Sequence, residues 1–118
     1  MKNYELIVHP VENGTHLRRS EIVGCLDSHT VIEFEKQFDD LLADGTATVL
    51  LNLEKLSYIS SAGISALMGL THRLRQNEGE LYLLKPTEKV QRVFRTLGFT
   101  NIFRIVEDET QLKVAQRD

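Results

Sequence analysis

The sequence predicts a single α/β domain, a mixed and mostly parallel sheet of about five strands with about four helices on it. Three observations predict this. Short apolar segments of strand type alternate with amphipathic segments of helical period along most of the chain. One apolar run, Thr46 to Leu53 around Val49-Leu50-Leu51, is nearly unbroken, as in strands buried on both faces of a parallel sheet. The 118 residues are 42% apolar and 26% charged. That is an ordinary globular balance, and a chain of this length buries roughly two-thirds of its unfolded surface. One domain over residues 1–118 is expected, with its core over about 4–114.

Tyr4 to Val8 reads as a first strand at a sheet edge, because Pro10 follows and proline cannot donate to a ladder. Glu12-Asn13-Gly14 is a hairpin turn signal, and Thr15 to Gly24 is the returning strand. Asp27-Ser28 offers a helix cap, and Thr30 with Glu33 resembles a capping box. One helix is expected to carry Phe34, Phe38, Leu41 and Leu42 on its inner face and to stop near Asp44-Gly45. Glu54 to Ile59 leads out of the Thr46–Leu53 strand into a second helix, with Ile64, Leu67, Met68, Thr71 and Leu74 on one face. Asn77-Glu78-Gly79 ends that helix. Leu81 to Leu84 is a strand closed by Pro86, and Thr87 caps a third helix with the stripe Val90, Val93, Phe94 and Leu97. Ile102 to Val106 is a last strand, and Asp108 caps a terminal helix carrying Leu112 and Ala115. The order is ββαβαβαβα, which implies right-handed parallel crossovers.

Composition narrows the function classes. A net charge of −3 weighs against direct nucleic-acid binding and against a polybasic membrane anchor. No apolar run approaches the ~18 residues of a membrane span. Met1 to Glu5 has no signal-peptide core, so Asn13-Gly14-Thr15 carries little weight as a glycosylation acceptor. Cys25 is the one cysteine, so no intrachain disulfide forms; this fits a reducing, cytoplasmic setting.

Enzyme and cofactor patterns are missing from the sequence. A nucleophile elbow G-x-S-x-G fails at Ile59. An unactivated serine is a weak nucleophile, and no base is evident for Ser60 or Ser61. His9, His16, His29 and His72 are scattered without metal-ligand spacing. No glycine-rich phosphate loop occurs. No metal, cofactor or catalytic residue is expected, and Lys89, Arg92 and Arg95 read as a solvated helix face.

One segment suggests a task. In Ile59-Ser60-Ser61-Ala62-Gly63 a strand delivers two hydroxyls to a helix start. Helix starts present free N–H groups and partial positive charge, so they tolerate an added phosphate. Ordinary helix capping explains the same residues. Ala62 and Gly63 are small enough to let a partner surface approach closely.

The run Leu50 to Ile64, with Leu53-Glu54-Lys55-Leu56-Ser57-Tyr58-Ile59-Ser60-Ser61-Ala62-Gly63-Ile64 at its centre, resembles the signature of the STAS domain. Within that family it resembles the bacterial anti-sigma factor antagonists, or anti-anti-sigma factors. Gly24-Cys25-Leu26-Asp27 is similar to their G-x-L-D motif, and Gly98 to Phe103 to their helix-to-strand exit. The likeness runs from about Tyr4 to Leu112.

The resemblance implies a phospho-switched binding module, not an enzyme. Its partner would be an anti-sigma factor that is also a serine kinase of the GHKL type, with a serine phosphatase reversing the modification. Unmodified antagonist captures the kinase and frees a sigma factor; phosphorylation abolishes capture. The phosphoacceptor falls on Ser61, with Ser60 as the alternative, and Ser60 stands where the family usually has aspartate. The implied partner surface is Asp27, Ser28, His29, Thr30, Ser60, Ser61, Ala62, Gly63 and Ser65. Asp27 is open to a second reading as a helix cap. The same fold also serves non-sigma signalling scaffolds, other partner-switching systems and lipid-transport complexes, since fold does not fix function.

Overall fold

The computed structural model describes residues 3–112. Strands β1 (Tyr4–Val11) and β2 (Leu17–Leu26) form an antiparallel hairpin. Two short helices follow, α1 (Val31–Lys36) and α2 (Phe38–Leu42), and then β3 (Thr48–Asn52) and β4 (Leu56–Ile59). The long helix α3 (Ser61–Gln76), strand β5 (Glu80–Leu84), helix α4 (Glu88–Thr96) and strand β6 (Arg104–Val106) complete the domain. A short 3₁₀ turn, Glu109–Gln111, comes last. The sheet has six strands in the order β1-β2-β3-β5-β6, with β4 paired to β2. Every pairing except the hairpin is parallel.

Side chains of the central strands alternate between two cores, as the period of a strand requires. Val49, Leu51, Leu81 and Leu83 join Ile22 and Leu26 under the helices, against Phe34, Phe38, Leu67, Leu70, Leu74, Val90 and Phe94. Leu50, Tyr82 and Leu84 face the other way, in a smaller cluster with Leu17 and Val106 that Leu112 packs against. The sheet is thus buried on both faces, which is why its middle strands read as continuous apolar runs. Among the described residues no helix is long and apolar enough to cross a membrane.

Five expectations need correction. The segment after β3 does not simply lead out of the sheet: Leu56–Ile59 pairs with the far end of β2, Gly24 opposite Leu56 and Leu26 opposite Ile59. Its two buried residues are separated by two exposed ones, a pattern too short to carry a strand signal. The single helix expected after β2 is broken at Gln37 into α1 and α2. Thr30 and Glu33 form no capping box there, because the Thr30 hydroxyl is used elsewhere. Met68 and Leu97, expected in the core, are 38% and 46% exposed. At the C-terminus Asp108 does cap a turn, with Thr110 N–H donating to its Oδ1 at 2.8 Å, but the turn is 3₁₀ and ends at Gln111. Ala115 lies outside the described residues.

Candidate functional site

The site is built where β2 and β4 end side by side. Gly24 takes φ +100°, and an added Cβ would strike the Asn3 carbonyl. The pairing register slips between Gly24 and Cys25. Leu17 to Glu21 of β2 run beside β3, and Gly24 to Leu26 beside β4. Leu26 and Ile59 are then register partners, so Asp27 and Ser60 leave the sheet as neighbours. The Ser60 N–H donates to the Leu26 carbonyl at 3.0 Å and ties the two exits together.

On the β2 side, Asp27 closes its own loop. Its Oδ1 accepts from His29 N–H at 2.9 Å and Thr30 N–H at 3.1 Å. Thr30 is buried; its Oγ1 accepts from Asp27 N–H and donates to the Cys25 carbonyl, both at 2.9 Å. The amides of Thr30 and then His29 hold the Asp27 carboxyl below the usual carboxylate range. Asp27 therefore stays charged and fixes the loop that carries Ser28 and His29, both exposed.

On the β4 side the two serines have opposite fates. Ser60 is the N-cap of α3, extended at φ −101° and ψ 175°. Its Oγ accepts from Gly63 N–H at 3.3 Å, satisfying one of the free amides of the first turn. Ser61 is the first helical residue and is exposed. Among the described residues its hydroxyl has no hydrogen-bond partner. Ser65, one turn further along the same face, is exposed as well.

Gly63 has an internal role. An added Cβ there would overlap the Leu26 carbonyl oxygen and come within 2.7 Å of Ile59 Cγ1. The residue is buried, and its lack of a side chain lets the helix start press against the strand ends. The expectation that Gly63 and Thr30 offer surface to a partner is corrected on this ground: both are buried and act as supports. Asp27, Ser28, His29, Ser60, Ser61, Ala62 and Ser65 retain surface at this end of the sheet.

The fold also brings up residues that sequence reading did not assign. Tyr58, Ile59, Ser60 and Ser61 face Arg92, Val93, Thr96 and Leu97 of the α4 region across an open groove of about 360 Å³. Tyr58 is 42% exposed, and the Lys89 ammonium stands 5.9 Å from its ring centroid. Met68 lies two turns along α3 from Ser61 on the same exposed face. Tyr58, Met68 and Leu97 are thus exposed apolar side chains at this end of the molecule. No local pattern joins residues 58–61 to residues 92–97; the contact exists only in three dimensions.

This hairpin-edged parallel sheet, with a serine turn at the head of its longest helix, is the architecture of the STAS domain. The STAS family profile matches residues 18–113, and the chain belongs to that family. It is 33% identical over 87 residues to the anti-sigma-B factor antagonist of Staphylococcus aureus, a match covering 74% of this chain and 81% of that one. Solved structures share the fold at lower identity. An anti-sigma factor antagonist from Mycobacterium paratuberculosis superposes with a TM-score of 0.75 at 16% identity, covering 91% of this chain and 88% of that one. The Bacillus cell fate determinant SpoIIAA in its phosphorylated form gives 0.64 at 22% identity, covering 90% and 95%.

Proposed function

We propose that this protein is an anti-sigma factor antagonist switched at Ser61. Unmodified, it captures an anti-sigma factor that is also a GHKL-type serine kinase, so that a sigma factor is released in the cytoplasm. The kinase then transfers the γ-phosphoryl of ATP: a P–O bond forms at Ser61 Oγ as the bond to the leaving ADP breaks, and the hydroxyl proton goes to a base of the kinase. A serine phosphatase resets the switch. The antagonist supplies no catalytic group.

One observation carries this reading. Ser61 is exposed and its hydroxyl is unbonded, while the neighbouring Ser60 hydroxyl is spent on the cap. A kinase needs an accessible hydroxyl, and a binding switch needs that hydroxyl inside the docking face. Tyr58, Met68 and Leu97 supply apolar surface around it. Phosphate adds about −1.5 to −2 charges at the centre of that surface, where desolvation opposes docking. SpoIIAA, which shares this fold, has been solved in a phosphorylated form.

The test joins mass mapping to binding. Incubation with the kinase and ATP should add one phosphoryl group on Ser61 and none on Ser60. By calorimetry Ser61→Ala should bind the anti-sigma factor like the unmodified protein. Ser61→Asp should bind at least ~30-fold more weakly, about 2 kcal/mol. Equal affinities for the two variants would overturn the reading.

A further inference from the structure

We propose that the phosphate on Ser61 is received in cis by Arg92, so that modification both adds charge to the docking face and withdraws a guanidinium from it. The inference rests on the Ser61 reading above and concerns where the phosphate goes once it is attached.

The structure describes seven arginines, and six of them are already paired. Arg18 meets Asp44, Arg19 meets Glu12 and Glu109, and Arg73 meets Asp39. Arg75 and Arg104 share Glu80, and Arg95 meets Glu88 at 2.6 Å. Arg92 has no ion pair and no hydrogen bond among the described residues. It is also the arginine that lines the groove opposite Ser61. Arg95, one turn further along α4, is held by Glu88 and does not line that groove.

The groove suits a phosphate more than either residue alone would. A guanidinium presents paired N–H donors that match two phosphate oxygens. The walls are the apolar Val93, Leu97 and Ile59, which thin the water around an ion pair and strengthen it. Ser61 opens α3, so the positive end of the helix dipole lies behind the phosphate. Other charges nearby are otherwise engaged. Lys89 sits over the Tyr58 ring. The Asp27 carboxylate is turned to the amides of His29 and Thr30, and His29 stands on that same loop. Among the described residues Arg92 is the α4 cation that lines this groove.

The consequence is an off state with two parts. Unmodified protein offers its partner a neutral hydroxyl and an unpaired guanidinium beside Tyr58 and Leu97. Modified protein offers neither, because the phosphate and Arg92 pair across the groove that a partner would have to enter and leave net negative charge there.

The experiment uses the full chain with phosphoserine encoded at position 61, so it needs no kinase. Phosphorus NMR follows the second ionisation of the phosphate between about pH 4 and pH 9, centred on its ordinary value near 6. The expected result is a midpoint at least ~0.5 pH unit below that of a phosphoserine peptide, because a nearby cation favours the dianion. Arg92→Gln should return the midpoint to the peptide value and Arg92→Lys should keep part of the shift. Arg95→Gln and His29→Gln should leave it unchanged. The Arg92 Nε–H resonance should move on phosphorylation in the otherwise unaltered chain, a readout that requires no variant. An unshifted midpoint, or a shift removed by His29→Gln or Lys89→Gln but not by Arg92→Gln, overturns the proposal. Failure of the kinase to modify Ser61 would show instead in the mass mapping, so the two ideas fail separately.

Discussion

The two ends of the parallel strands are made from similar residues and use them in opposite ways. At the N-terminal end the Arg18 guanidinium is buried and donates from all three of its nitrogens. It donates to Thr46 Oγ1 at 3.0 Å, to the His9 carbonyl at 2.8 Å, to the Ala43 carbonyl at 3.0 Å and to Asp44 Oδ2 at 3.2 Å. The Thr46 hydroxyl in turn donates to the Ala43 carbonyl at 2.6 Å. At the C-terminal end Ser60 and Asp27 are used in the same structural way, but Ser61 and Arg92 keep their hydrogen-bonding capacity unspent beside exposed apolar groups. The residue types do not separate structure from function here. What separates them is whether each polar group's donors and acceptors are consumed inside the fold.

That contrast can be broken by mutation, and the largest effect is expected at Arg18. Arg18→Met keeps the stem and removes the donors, so the charged hydrogen bonds to Thr46, His9, Ala43 and Asp44 that tie these loops together are lost. Urea unfolding should show a loss of about 2–4 kcal/mol. Arg92→Gln should stay within ~0.5 kcal/mol of the unaltered protein, as an unpaired exposed side chain does. Similar losses for the two would mean that the ends do not differ as described. A middle effect is expected at the functional end from a residue that no partner touches. Gly63→Ala forces a methyl group into the Leu26 carbonyl, and overpacking of this kind costs about 1–3 kcal/mol. Because it pushes α3 away from the strand ends, it should also weaken anti-sigma factor binding although Gly63 is buried. Unchanged stability together with unchanged binding would remove Gly63 from the architecture of the site.

Much of this was readable in the sequence, for physical reasons that differ element by element. The runs at Val49 and Leu81 are continuous because both sheet faces are covered, and the stripe Val90, Val93 and Phe94 repeats at helical period because α4 packs one face. The Ser60 cap and the display of Ser61 are local consequences of a strand running into a helix, so the turn itself announces them. Strand β4 was not legible, since its pairing depends on a register slip at Gly24, thirty-odd residues earlier in the chain. The break at Gln37 was hidden because Phe34, Phe38 and Leu41 stay in phase across it. Tyr4 reaches over to that break, its hydroxyl donating to Gln37 Oε1 at 2.6 Å, and burial followed by the charge of Glu33 pushes the phenol upward. The groove partner Arg92 looked like one solvated cation among three on α4. Only the count of filled and unfilled ion pairs, which needs coordinates, sets it apart from Arg95.

The smallest expected effect is a difference in acid sensitivity between the two supports of the site. Asp27 holds its loop with a carboxylate, whereas Ser60 holds α3 with a hydroxyl that does not titrate. The Asp27 carboxyl is depressed in the folded protein, first by the Thr30 amide and then by the His29 amide. A depressed carboxyl stabilises the fold at pH values above its unfolded value of ~3.9, and that contribution fades as pH falls through the lower folded value. Carbon NMR of the Asp27 carboxyl should therefore give a midpoint below ~3.9. Hydrogen-exchange protection of the His29 and Thr30 amides should weaken as the carboxyl protonates, while the Gly63 amide, bonded to Ser60, stays protected over the same range. Asp27→Asn keeps an acceptor oxygen but cannot titrate, so it should abolish the acid-dependent change at His29 and Thr30. A midpoint at or above the unfolded value, or loss of protection at Gly63 in step with Thr30, would mean that the two exits from the sheet melt as one unit rather than being held by separate devices.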